Sequence, residues 1–314
     1  MLLLGIQAVI GTLSATAAAN RVVAWGDINC DVTIPATITS RGIAQIVAGD
    51  YHDLALRADG TVVAWGDNHF GQSRVPMAVL RSPALEIAAG NVHSLALLRN
   101  GTVIAWGPTA AGQTGNYGQC AVPSNLKHVV AVAAGAAHSL ALKQDGTVVA
   151  WGADWTGQCD PPAGLGNVVA IAGGMYHSVA LRKDGTVVAW GADDHGQASV
   201  PEDLDGVVAI AAGGFHTLAL KSDGTVVQWG TYGLAQCDVP EGLENVVAIA
   251  TGDYHSLALR RDGSVVVWGF NTAGQCAVPA TLGKVVAIAA AGSHCMALVE
   301  EPVWSLVRGR IVTR

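Results

Sequence analysis

Short apolar runs alternate with glycine-rich punctuation along almost the whole chain. Residues 168–201 give one clean unit, VVAIAGGMYHSVALRKDGTVVAWGADDHGQASVP. Three runs have strand length and strand composition: VVAIA, HSVAL and TVVAW. Lys183-Asp184-Gly185 separates the second from the third, a strong hairpin signal. Gly173-Gly174 separates the first from the second, where a tight turn needs a permissive backbone. A short loop after Trp-Gly ends at Gly196-Gln197, and a weaker fourth run leads to Val200-Pro201. A proline there suits an edge strand, because it has no amide to donate. No stretch of the chain carries helical periodicity over 10–15 residues.

The unit recurs. Trp-Gly marks Trp25, Trp65, Trp106, Trp151, Trp190, Trp229 and Trp268, with spacings of 40, 41, 45, 39, 39 and 39 residues. A second marker is His52, His93, His138, His177, His216, His255 and His294. Two markers in seven copies each define the period. One small antiparallel sheet cannot cover both its faces, but a ring of copies can. The expected fold is all-β: a seven-bladed β-propeller of mostly four-stranded antiparallel blades over residues 20–300. The seven Trp then pack between blades, and the Ala-rich VVAIA run lies nearest the axis. The chain opens with the third-strand motif, 21–26, and ends with the first and second, 285–289 and 294–298. Together they complete one blade, so the N-terminal strand is expected to close the ring. In the tail, 301–314, Trp304 offers a rival third strand, but the motif at 21–26 is intact.

The pattern AG-x-x-HSLAL-x-x-DGTVVAWG-x-x-x-x-GQ resembles the repeat of the regulator-of-chromosome-condensation-1 (RCC1) family over residues 21–298. The short unit, with its Trp-Gly, Gly-Gln and Val-Pro punctuation, is also similar to a bacterial branch that includes the secreted β-lactamase inhibitory protein II. The resemblance implies a propeller and leaves function open, since family members serve as guanine-nucleotide exchange factors, inhibitors and unassigned binding modules. The exchange factors have longer blades and a basic N-terminal tail, whereas residues 1–20 hold no basic residue.

Composition narrows the classes. Apolar residues make up 51% of 314, with 39 Gly, which excludes a disordered chain and collagen. The formal charge of −7 argues against a nucleic-acid partner held by a broad basic surface. Residues 1–19 read as a signal peptide, apolar first and then small and Ala-rich, so a secreted or periplasmic location is expected. Beyond residue 20 no apolar run has the length of a membrane span.

All five Tyr and all three Phe fall in the G-x-x-H loops or the loops after Trp-Gly, which an up-down-up strand order places on one face. Asp27, Asp50, Asp67, Asp154, Asp193, Asp194 and Asp253 share those loops, and the Asp-Gly hairpins opposite carry the basic residues. An acidic, aromatic face suits protein docking. The candidate partner-binding residues are Trp155, Tyr117, Phe70, Phe270, Asp154, Asp193, Asp194, Tyr176 and Tyr254. Trp155 stands out because neighbouring copies lack it. The loop 108–119 is six residues longer than its counterparts in the 39-residue copies.

Chemistry offers little. Each repeated His occupies the same place in a different blade, so the seven ring the axis instead of converging on a metal, and a structural bond to backbone is expected. Cys120, Cys159 and Cys276 follow Gly-Gln and Cys237 follows Ala-Gln, with Cys30 nearby, in blades too far apart for disulfides. No GxSxG, Walker loop or HExxH occurs, and adjacent His and Ser on a strand point to opposite faces. The expectation is a monomeric, non-enzymatic protein-binding propeller without metal or cofactor, in its sharpest form an inhibitor of a secreted enzyme such as a β-lactamase. The alternatives are guanine-nucleotide exchange, a carbohydrate or cell-surface binding module, and a hydrolase with a loop-built site.

Overall fold

Seven sheets, each of three antiparallel strands, stand side by side around one axis. The computed structural model describes residues 20–27, 34, 35, 38, 42–231, 238–301, 304–307 and 310–313; the expected signal peptide at 1–19, Cys30, Tyr232 and Cys237 lie outside them. Blade one is Ile43–Ala48, His52–Arg57 and Val62–Gly66. Blade two is Ala84–Ala89, Ser94–Leu98 and Val103–Trp106, and blade three is Val129–Ala134, His138–Lys143 and Val148–Gly152. Blade four is Val168–Gly173, His177–Arg182 and Val187–Gly191, and blade five is Val207–Ala212, Thr217–Lys221 and Val226–Trp229. Blade six is Val246–Thr251, His255–Arg260 and Val265–Gly269. Blade seven takes Val285–Ala291 and His294–Glu300 from the C-terminal end and Asn20–Gly26 from the N-terminal end.

The closing strand is in full register, from Asn20 opposite Glu300 to Gly26 opposite His294. Trp304–Val307 pairs instead with Arg310–Thr313 in a separate hairpin, so it does not compete for the ring.

The expected fourth strand does not form among the described residues. After Gly-Gln the backbone turns on itself: in blade four Ser199 N donates to Gly196 O and Leu204 N to Pro201 O. The Asp193 carboxylate takes the Ala198 N–H and the Ser199 hydroxyl. These donors are satisfied locally, so nothing drives the segment onto the edge of the Trp-bearing strand. After blade one the same region forms a single helical turn, Met77–Leu80.

Both faces of each sheet are apolar, because the second strand alternates large and small residues. In blade three Leu140 and Leu142 pack against Val168, Ile171 and Trp190 of blade four. Ala141 and Trp151 face the other way, against Leu95, Leu97 and Val103 of blade two. The small Ala leaves room for the indole. Each repeat Trp is 5–8% exposed. Burying an indole of roughly 200 Å² at about 25 cal/mol per Å² contributes about 5 kcal/mol before chain entropy. Trp25 joins the interface between blades six and seven in the same way.

The inner strands surround an axial channel of about 270 Å³. Two buried polar side chains bridge neighbouring inner strands. The Gln45 amide bridges blades one and two, donating from Nε2 to Ile87 O at 3.2 Å and accepting from Ile87 N at 3.1 Å. Glu86 takes the same strand position in blade two, and its Oε2 accepts from Val132 N of blade three at 3.2 Å. Burial pushes the Glu86 carboxyl up to about 8, only partly offset by the Val132 bond. A protonated Glu86 is an isostere of Gln45, with a donor where Gln45 has Nε2.

Candidate functional site

The loop face rests on a ring of hydrogen bonds between neighbouring blades. His52 Nε2 meets Ser94 Oγ, and His93, His138, His177 and His216 meet Ser139, Ser178, Thr217 and Ser256, all at 2.7–3.1 Å. Where it is described for Ser94, Ser139, Ser178 and Thr217, the hydroxyl donates its single hydrogen to a Gln backbone carbonyl, of Gln72, Gln119, Gln158 and Gln197. It must therefore accept from Nε2–H, which sets the tautomer. The same carbonyls accept the indole N–H of Trp106, Trp151, Trp190 and Trp229, and Trp25 finds Gln275 O at 2.9 Å. The His thus bonds a side-chain hydroxyl of the next blade, not backbone as its sequence pattern suggested. The G-x-x-H glycine is needed beside it: a Cβ on Gly135 would overlap the His138 ring and the Gly174 carbonyl of blade four.

His and Ser do pair in space, yet across blades and sealed from solvent. Ser94, Ser139 and Ser178 are 0% exposed. Burial lowers His52 and His138 to about 4 and His93, His177, His216 and His255 to about 3, so they stay neutral and make poor bases. Cys295 contacts His255 Nε2 at 3.2 Å instead of its neighbour His294. Burial raises its thiol far above the ordinary range, so this pair is no nucleophile. Burial likewise raises Cys120 and Cys159 to about 12. Among the described residues no group of three or more His, Cys, Asp or Glu is placed to hold a metal ion.

The ring changes character where the termini meet. His294 Nε2 donates to Asp53 Oδ1 at 2.9 Å, Asp standing where blades two to six carry Ser or Thr and blade seven carries Cys295. Burial opposes the charged imidazole, but the bond and charge of Asp53, with Asp50 and Asp27 nearby, raise His294 above its ordinary range. Asp50 and Asp253 lie in the equivalent loops of blades one and six, with Gly292 of blade seven between them. Asp253 N donates to Gly292 O, and the Asp50 backbone lies against Gly292. Burial, reinforced at Asp50 by the charge of Asp253, raises both carboxyls.

The Gly-Gln motif also shapes the outer loops. The amide oxygens of Gln72, Gln119 and Gln197 accept the backbone N–H two residues upstream, at Phe70, Tyr117 and His195. These side chains are thereby held at the loop tips. From there an unbroken arc of rings crosses the face. Tyr117 meets Trp155 at 4.7 Å, Trp155 meets Tyr176 at 6.0 Å, and Tyr176 meets Phe215 at 6.3 Å. Phe215 stacks on Tyr254 at 5.7 Å, and Tyr254 meets Phe270 at 6.1 Å. His195 sits edge-on to Phe215 at 4.9 Å.

Five of the expected aromatic residues, Tyr117, Trp155, Tyr176, Tyr254 and Phe270, therefore join one surface. Trp155 is 54% exposed and Tyr117 48%. Phe70 pairs with His69 at 5.5 Å and lies beside Gly115 of the longer loop. Asp154 and Asp193 are exposed, but each accepts a backbone N–H of its own loop, at Cys159 and Ala198. Asp194 lies with Trp155, Tyr176, His195 and Phe215 around a depression of about 270 Å³. Phe215 and His195 were missing from the expected site. Phe215 holds the repeat position of Tyr176 and Tyr254, a signal that was present in the sequence.

The comparisons with known proteins agree with this architecture. The chain is similar to Prp20p of Saccharomyces cerevisiae, in a structure concerned with binding to Gsp1p and histones, at 22% identity and TM-score 0.77, covering 90% of this chain and 92% of that one. It is similar to the same yeast RCC1 bound by Kap60, at 21% identity and TM-score 0.77, covering 91% and 90%. Human WBSCR16 matches at 21% identity and TM-score 0.71, covering 91% and 100%. No curated protein matches. These relatives give no support to the bacterial inhibitor branch or to a β-lactamase target. They also overturn the expected secreted or periplasmic location, since the matched yeast and human proteins are not exported ones. A match to the RCC1-like domain over residues 31–281 agrees with the ring of seven blades, and the chain belongs to that family.

Proposed function

We propose that this propeller docks another protein on its aromatic loop face and acts by binding, as a monomer and without catalysis. The observation that carries the reading is the arc from Tyr117 to Phe270, six rings in mutual contact on one face. Partly exposed aromatics held on a rigid ring lose little entropy on binding and make strong interface anchors. Tests use partners captured by the wild-type chain. Trp155→Ala should weaken their binding by about 2 kcal/mol or more, roughly 30-fold. The double variant Lys183→Ala/Arg261→Ala, on the opposite hairpins, should leave binding nearly intact. The reverse outcome overturns the choice of face.

A second reading makes the partner a small GTPase whose guanine nucleotide is released on docking. The likeness to yeast RCC1 over nine-tenths of both chains favours it. The assay is release of fluorescent GDP from a Ran-type GTPase. Acceleration that Trp155→Ala abolishes supports exchange, and no acceleration removes it.

A further inference from the structure

We propose that the depression between Trp155 and Phe215 is a cage for the guanidinium group of a partner arginine. The inference rests on the docking reading and names the chemistry this face selects. The walls are Trp155, Tyr176 and Phe215, with His195 beside Phe215. Successive rings meet at 58° and 55°, so they turn a corner around a concavity instead of stacking flat. A concavity of about 270 Å³ falls below the roughly 300–1,000 Å³ of small-molecule sites, which fits a single side chain.

The electrostatics select the charge of the occupant. Aromatic faces carry negative potential and attract cations. The Asp194 carboxylate lines the same depression and is exposed. Asp154 and Asp193 hold their own loops, whereas Asp194 has no such bond among the described residues. Neither the G-x-x-H loops nor the segments from Trp-Gly to Gly-Gln contain Lys or Arg. These loops therefore bring no Lys or Arg of their own to the site. Arginine fits better than lysine, because a planar, weakly hydrated guanidinium can stack on a ring and bond a carboxylate at once.

The test uses the full chain and two tripeptides, acetyl-Gly-Arg-Gly-amide and its citrulline counterpart, which keeps the shape and lacks the charge. Ligand-observed NMR titration should show the arginine peptide binding about tenfold tighter than the citrulline peptide. Added salt should weaken it. Asp194→Asn and Trp155→Ala should each lose that preference with melting unchanged, and Trp155→Phe should retain it. Equal affinity for the two peptides, binding of neither, or an unchanged preference in Asp194→Asn overturns the cage. A captured partner that needs Trp155 while the arginine peptide goes unbound leaves the docking reading standing and removes only this one.

Discussion

Replacing Glu86 by Gln should stabilise the protein at neutral and alkaline pH and leave it almost unchanged in acid. Glu86 is 7% exposed between the inner strands of blades two and three, and its Oε2 accepts from Val132 N. Its carboxyl ordinarily ionises near 4.5 but holds its proton here up to about 8, because burial penalises the charged form. Between those limits the unfolded chain has released this proton and the folded chain has not. Stability from this group is complete below about 4.5 and falls by about 1.4 kcal/mol per pH until about 8. The whole loss is on the order of 5 kcal/mol. Gln at this position carries no charge at any pH and can bridge blades two and three as Gln45 bridges one and two. Urea unfolding of both proteins across that range is the assay. Asp50 and Asp253 titrate in both, so the difference between the two curves isolates position 86. A difference that stays flat across the range would refute the reasoning. So would a Glu86→Gln variant much less stable than wild type at acid pH, since the carboxyl would then not be acting as a neutral amide analogue.

The six neutral histidines work in the opposite direction. Their folded values near 3–4 lie below the ordinary 6.5, so their contribution is complete above about 6.5 and lost as pH falls toward 3. Unfolding near pH 5 should therefore take up several protons, measurable as the pH slope of urea stability, and no net uptake would refute the ring of neutral imidazoles. At the seam, Asp53→Ser should reproduce the His–Ser contact of the other blades and bring the His294 titration, followed by NMR, back down, with little loss of stability. An unmoved His294 would exclude Asp53 as the cause. Trp25→Ala and Trp190→Ala should each cost about 3–5 kcal/mol in unfolding experiments, because both indoles fill equivalent interfaces. A much smaller loss at Trp25 would mean that the closing strand is dispensable.

The sequence by itself determined the blade count, the three main strands, the inter-blade place of the tryptophans and the closure by residues 21–26. All of these follow from short-range signals repeated at a fixed period: hairpin residues, period-two alternation, and a motif split between the two termini. Tertiary structure decided what lies beside what around the ring. The histidine partner sits about 40 residues away on the next blade, so neither His177 nor its sequence neighbours reveal Thr217. The fourth strand failed because Asp193 captures the donors that would have paired, a competition that composition does not display. Glu86 looks like a surface carboxylate until the neighbouring inner strand buries it against Val132. The eight Tyr and Phe were already confined to one face in the sequence. That Tyr176, Phe215 and Tyr254 touch in turn depends on the ring, which places the same loop of successive blades side by side.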